Sequence, residues 1–252
     1  MGDTSNSGDI LGIAPYGEAV NTVAKGTVAG AGAFLSRICL PAAEEFGLLL
    51  RDKVTAWRSV NATQILNNAE RLLEAEHDAS RMHAHPRLVG KILENGSWTD
   101  DDGVQRLWAG LLATACTADG TDESNLIFVN LLDQLTSAQV RILKAACTDT
   151  QKMVSLAGWI FASPLVCTLD LLREISGVQD ANRLDRELDH LRTLGLIVET
   201  GGFQTHSPIP VADVTPSALA LQLFARCNGH RGEPKDFYGA FEVKPVESNQ
   251  QT

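Results

Sequence analysis

Residues 103–116 read GVQRLWAGLLATAC. Their apolar members are Val104, Leu107, Trp108, Leu111, Leu112, Ala115 and Cys116. Steps of three and four residues put all seven on one continuous face of a helix. Asp100, Asp101 and Asp102 come directly before it. Carboxylates there accept the free amides of a first turn and oppose the helix dipole. Capping explains the acid run more simply than a cation site does, because capping needs no residue from elsewhere in the fold. The stretch therefore predicts an acid-capped helix with one buried side and Trp108 in the core.

The same period extends in both directions. Pro86 opens a short helix whose buried side is Leu88, Val89, Ile92 and Leu93, with Asn95-Gly96 as its stop. Trp98 is placed to act as a staple against the helix that follows. Further back, Ile65, Ala69, Leu72 and Leu73 mark a longer helix with Glu70, Glu74 and Glu76 outward. Downstream, a polar loop TADGTDESN (117–125) leads to a helix from Leu126 to Leu135. Thr136-Ser137-Ala138-Gln139 is a capping box that opens a second unit, with Val140, Leu143 and Cys147 inward. A helix over about 154–162 is expected next. Leu169, Leu172 and Ile175 form another apolar face, closed by Gly177. Asp180 starts a helix with Leu184, Leu188, Leu191 and Leu194 inward, closed by Gly195. Leu196-Ile197-Val198 is β-rich, Gly201-Gly202 reads as a turn, and Phe203 to Val211 reads as the returning strand. Thr215-Pro216-Ser217 caps a last helix over 216–227, ended by Asn228-Gly229.

The expected fold is mainly α. It comprises a flexible N-terminus (1–18), a helical domain (19–134), a winged-helix-like α+β domain (135–229) and a loosely ordered tail (230–252). Three helices followed by a hairpin give the winged-helix order.

Composition sets limits on function. The 252 residues are 44% hydrophobic and 21% charged, with a net charge of −10. Coating nucleic acid needs a basic surface, so that role is excluded. The N-terminus has no basic segment ahead of an apolar core, and Asn6 stands where a myristoylation site needs a hydroxyl residue. Cys39, Cys116, Cys147, Cys167 and Cys227 are widely spaced and odd in number, so they read as small buried hydrophobes. Residues 26–43, GTVAGAGAFLSRICLPAA, carry Arg37 and Pro41, and are expected as a buried Gly/Ala-rich helix. Their alternative is a segment that meets a membrane. The expected compartment is the cytoplasm, with membrane association through 26–43 as that alternative.

The chain shows no phosphate loop, no Gly-x-Ser-x-Gly elbow and no His-Glu-x-x-His motif. The nearest metal candidates are His77, His83 and His85, with Asp78 beside them. A polar connector favours histidine for solubility alone, and three unanchored ligands rarely close a site. No metal, no cofactor and no catalytic residue is therefore expected. The helix over 180–194 would enter a DNA groove in a winged-helix domain. It offers Asn182, Arg183, Arg186 and Arg192, but Asp180, Asp185, Glu187 and Asp189 leave it at −1. Groove readers present uncompensated basic or amide side chains. The wing, ETGGFQTH (199–206), has no lysine or arginine to hold a phosphate. These four residues are thus candidates for partner contact first and nucleic-acid contact second.

The stretch from about 61 to 146 resembles the bacterial abortive-infection alpha family. The resemblance rests on a helix entered through His85-Pro86 and running through LVGKILENGSWTDDDGVQRLWAGLLATA. An acidic loop, a polar insert, the helix IFVNLLDQL and then LTSAQVRILK follow. Residues 41–47, PAAEEFG, are also similar to the family's proline-to-glycine helix. One departure is Glu123-Ser124-Asn125, where members of the family usually carry a His-Pro pair. The resemblance leaves the winged-helix-like end outside it. It implies a role in defence against phage and supplies no catalytic residues.

The function expected from these observations is non-enzymatic phage defence or stress response. It would act through a protein partner, self-association or a membrane met by residues 19–50. The alternative is a DNA-binding regulator using 180–206. An enzyme reading rests on the histidines alone.

Overall fold

The computed structural model describes residues 30–43, 53–74, 79–204, 206–239 and 241–242. Helices α1 (Lys53–Glu74), α2 (Pro86–Gly96), α3 (Asp102–Ala115) and α4 (Leu126–Asp133) form most of the described first half. α1 lies along α3, and Ile65, Leu66, Ala69 and Leu73 are buried there with Trp108, Leu111 and Leu112. Residues 30–38 and 40–43 are helical and add Phe34, Leu35 and Ile38 to the same core. One face of the described part of 26–43 is thus buried in protein, while Gly30, Ala33, Ser36, Leu40 and Pro41 are exposed, and residues 26–29 lie outside the described residues. Among the described residues no helix is long and apolar enough to cross a membrane.

Helix ends follow the sequence cues. Asp101 caps α3, its Oδ1 accepting from the amides of Gly103 (2.8 Å) and Val104 (3.0 Å). The helix α2 stops at Gly96 as expected, and the glycine has a second role. It is the last residue of α2, and a Cβ there would stand 2.8 Å from Ile65 and 2.9 Å from the Trp108 ring. The glycine lets α2 approach the core. Trp98 is not a staple. It is exposed, and the Arg58 guanidinium lies over its ring at 4.2 Å. A short ladder of β1 (His83–Ala84) with β2 (Cys116–Thr117) joins the entry of α2 to the exit of α3.

The second half starts at the capping box. The Thr136 hydroxyl accepts from the Gln139 amide (3.2 Å), and Gln139 Oε1 accepts from the Thr136 amide (3.0 Å). This opens α5 (Ser137–Asp149). Residues 154–162 are not a helix. Strands β3 (Lys152–Val154) and β4 (Ile160–Ala162) pair as an antiparallel hairpin. Gly158 takes a φ of +84° in its turn, a conformation a helix interior excludes. Val154 and Ile160 face inward from opposite strands, so alternation and not helical period sets this segment.

Next come β5 (Val166–Thr168), α6 (Leu169–Ser176), α7 (Ala181–Thr193), β6 (Gly202–Phe203) and β7 (Val211–Asp213). β7 lies between β5 and β6, antiparallel to both. The expected strand at 196–198 does not join this sheet. Leu196 and Ile197 are both buried, and the segment pairs with 215–217 through Val198 N to Thr215 O (3.0 Å) and Ser217 N to Leu196 O (3.1 Å). The hairpin is therefore β6–β7, with its loop at 204–210.

α8 (Ala218–Cys227) packs on α3, so apolar residues of both halves form one buried cluster. Part of the segment expected to be a loose tail is regular. Residues Pro234–Tyr238 form α9, and β8 (Phe241–Glu242) pairs parallel to β3. Arg231 holds this return in place by donating to the Ala113 and Cys116 carbonyls at the end of α3. A guanidinium suits these carbonyls at the negative end of the helix dipole. Residues 1–18 and 243–252 lie outside the described residues.

Candidate functional site

The histidines do not converge on a metal. His77 lies outside the described residues. His83 is an exposed residue of β1. His85 is the N-cap of α2, its Nδ1 accepting from the Arg87 amide at 3.3 Å and lying 3.8 Å from Glu123 Oε1. Among the described residues no three His, Cys, Asp or Glu side chains are grouped to hold a cation. Glu123, at the departure from the family pattern, also pairs with Arg87 (3.2 Å). It ties the acidic loop to the start of α2.

The four contact candidates all lie on α7 or its rim. Asn182 is exposed in the first turn, and its backbone amide donates to the Asp180 cap. Arg183 is turned along its own helix to Glu187 (3.3 Å). Arg192 pairs with Asp189 (2.6 Å) and donates to the Gly201 carbonyl (3.0 Å). Arg186 is exposed and makes no hydrogen bond or ion pair among the described residues. Two of the three arginines are thus committed within the chain.

A buried polar network fixes α7 against α5. The Thr136 hydroxyl donates to the Glu187 carboxylate (2.9 Å), while the Gln139 amide donates to the Glu187 carbonyl (3.1 Å). The same amide nitrogen lies 2.9 Å from His190 Nδ1. Glu187 is buried, and these partners with Arg183 offset the cost of its desolvation. Sequence reasoning found the capping box but counted Glu187 only as surface charge. Its partners lie about fifty positions away, and no local pattern reports them.

The β3–β4 hairpin presents the opposite chemistry. From Met153 to Leu169 no residue is charged and none is histidine. Leu156 at the tip is 73% exposed and Trp159 68%, and Phe161 and Val166 are also exposed. A water-facing tryptophan and leucine on a charge-free turn are unusual in a chain that is 21% charged. Ile209 is exposed in the loop that leads into β7, where the Leu169 amide donates to the Pro210 carbonyl (2.9 Å).

The thiols are chemically quiet. Burial pushes Cys116 and Cys147 up to about 12, and Cys227 and Cys167 upward as well. Lys152 sits beside Cys147, where burial lowers its pKa, and its ammonium donates to the Thr148 carbonyl (3.0 Å). It also faces the Tyr238 ring at 5.1 Å.

The model of one protein family, abortive infection alpha, matches residues 60–210, well over half of the chain. The chain belongs to the abortive infection alpha family. The match extends past the 61–146 read from sequence. It takes in the hairpin, α7 and β6, so the second half lies largely inside the family's span and not outside it. In this abortive infection alpha chain the Thr136–Glu187 network and the exposed Trp159 both fall within the matched residues. No curated protein and no solved structure matches the chain.

Proposed function

We propose that this chain defends a bacterial cell against phage by contact with another protein and not by catalysis. The family supports the defence role. The contact reading rests on the charge-free hairpin, whose Leu156 and Trp159 stand in water at its tip. Tryptophan is enriched among the few residues that carry most of the energy at protein interfaces. In this reading the second half is a winged-helix-like unit. Support for that comes from the order α5, β5, α6, α7, β6, β7, with the β3–β4 hairpin inserted after α5, and from the position of β7 between β5 and β6. The charge of α7 argues for a protein ligand over DNA. Its Arg183 and Arg192 are held by Glu187 and Asp189, so few donors remain for base edges or phosphates.

A plating assay tests both parts. Cells carrying the chain are challenged with a panel of phages and compared with cells lacking it. At least one phage should lose plating efficiency, and Leu156→Ser with Trp159→Ser should restore it at equal protein level. Unchanged plating across the whole panel overturns the defence role. Full protection by the double variant overturns the hairpin contact.

A further inference from the structure

A hollow of about 240 Å³ opens where α3 meets α5 and α8. Three cations line it, Arg106, Arg141 and Lys144, with Asp101 as the acid among the lining residues. Asp101 spends its Oδ1 on the amides of Gly103 and Val104. Arg141 is fixed in place. It donates twice to the Ser176 carbonyl (3.1 and 2.8 Å) and stands 3.6 Å from Asp101 Oδ2. The Arg106 guanidinium and the Lys144 ammonium are exposed and make no hydrogen bond or ion pair among the described residues. Four other arginines pair with acids, in Arg87–Glu123, Arg173–Asp170, Arg183–Glu187 and Arg192–Asp189. A concave, net-positive surface therefore stands out on a chain of net charge −10. Such a surface focuses field and draws anions. Its remaining wall is apolar, with Leu107, Val140 and Phe224.

We propose that this hollow binds a small organic phosphate, its phosphate held by Arg106 and Lys144 beside the fixed Arg141. A compact apolar group of the ligand lies against Leu107, Val140 and Phe224. The walls come from both halves of the chain, so the ligand stabilises their packing as any native-state ligand does. The larger hollow at Lys152, about 470 Å³, is a poorer anion site. Its ammonium already serves the carbonyl end of α5, where the helix dipole repels negative charge.

Calorimetric titration of the full chain at low salt with phenyl phosphate, and separately with inorganic phosphate, tests this. Saturable one-to-one binding of phenyl phosphate is expected, tighter than that of inorganic phosphate and weakened by added salt. Arg106→Gln with Lys144→Gln should weaken it about tenfold or more, while Arg186→Gln leaves it unchanged. Both altered side chains are exposed, and thermal unfolding of the ligand-free variant checks that its fold is kept. Absence of saturable binding to the unaltered chain overturns the proposal. An equal loss in Arg186→Gln also overturns it, because diffuse charge then explains the affinity. Equal affinity for inorganic phosphate overturns the apolar part of the site.

Discussion

A Cβ placed on Gly110 would stand 1.8 Å from the carbonyl oxygen of Cys227. Helices α3 and α8 thus touch backbone to backbone, and this contact joins the halves of the core. Gly110→Ala must drive the helices apart, and overpacking of this kind costs about 3 kcal/mol. Gly90, exposed in α2 with nothing within 4 Å of its virtual Cβ, is the control. Gly90→Ala should stabilise the chain by about 0.5–1 kcal/mol, because alanine loses less backbone freedom on folding. Urea denaturation of the two variants should give shifts of opposite sign.

Glu187 accepts from Thr136 and Arg183 while almost fully buried. Glu187→Ala takes away the acceptor of the exposed Thr136 hydroxyl and the ion-pair partner of Arg183, and should cost about 1 kcal/mol. Glu187→Gln keeps an oxygen to receive that hydroxyl and should cost clearly less. Melting temperatures of the two variants measure the difference. An equal loss would show that the carboxylate's charge, and not its acceptor oxygen, fixes α7.

The buried thiols make stability depend on alkaline pH. In the folded chain burial raises Cys116 and Cys147 from the usual 9.0 to about 12. The unfolded chain releases these protons near 9 and the folded chain does not. The stabilisation is therefore complete below pH 9 and is lost as pH rises through 12. Each thiol contributes a slope of up to about 1.4 kcal/mol per pH unit in that window. Denaturant midpoints measured from pH 8 to pH 11 should fall, and Cys147→Ala should flatten the fall. At pH 8 iodoacetamide should leave Cys116, Cys147 and Cys227 of the folded chain unmodified and label them in urea.

The hairpin tip should separate stability from function. Leu156→Ser and Trp159→Ser remove side chains that face water, so the unfolding midpoint should move by less than about 0.5 kcal/mol. Protection against phage should fall in the same variants. A large loss of stability instead would show that the tip serves the fold.

Much of the helical frame was readable because its signals are local. The acid cap at Asp101, the capping box at Thr136 and the αL glycine at Gly177 each act within a few residues, and each lies where the pattern put it. The apolar face from Val104 to Cys116 is buried, apart from a half-buried Leu107, for the same reason. The expected helix over 154–162 fails because a short apolar run carries no period that tells strand from helix. The β character of 196–198 was legible but its partner was not, since Val198 bonds to Thr215 and not to the strand after the turn. The order along α7 was legible but its commitments were not, since Glu187 is claimed by Thr136 and Arg192 by the turn at Gly201. Nothing in the spacing of Arg106, Arg141 and Lys144 hints that they share a hollow.

The hairpin springs from a closed neck, where the Ser163 amide donates to the Gln151 carbonyl (2.9 Å). Toward the tip from that bond, Val154 and Ile160 are anchored in the interior; beyond them, Leu156 to Trp159 are exposed. Selection can rewrite Leu156, Ala157 and Trp159 without disturbing the scaffold, while Gly158 keeps the positive φ of the turn. A lineage pursued by changing adversaries would diversify there first, as an antibody loop does on its rigid framework.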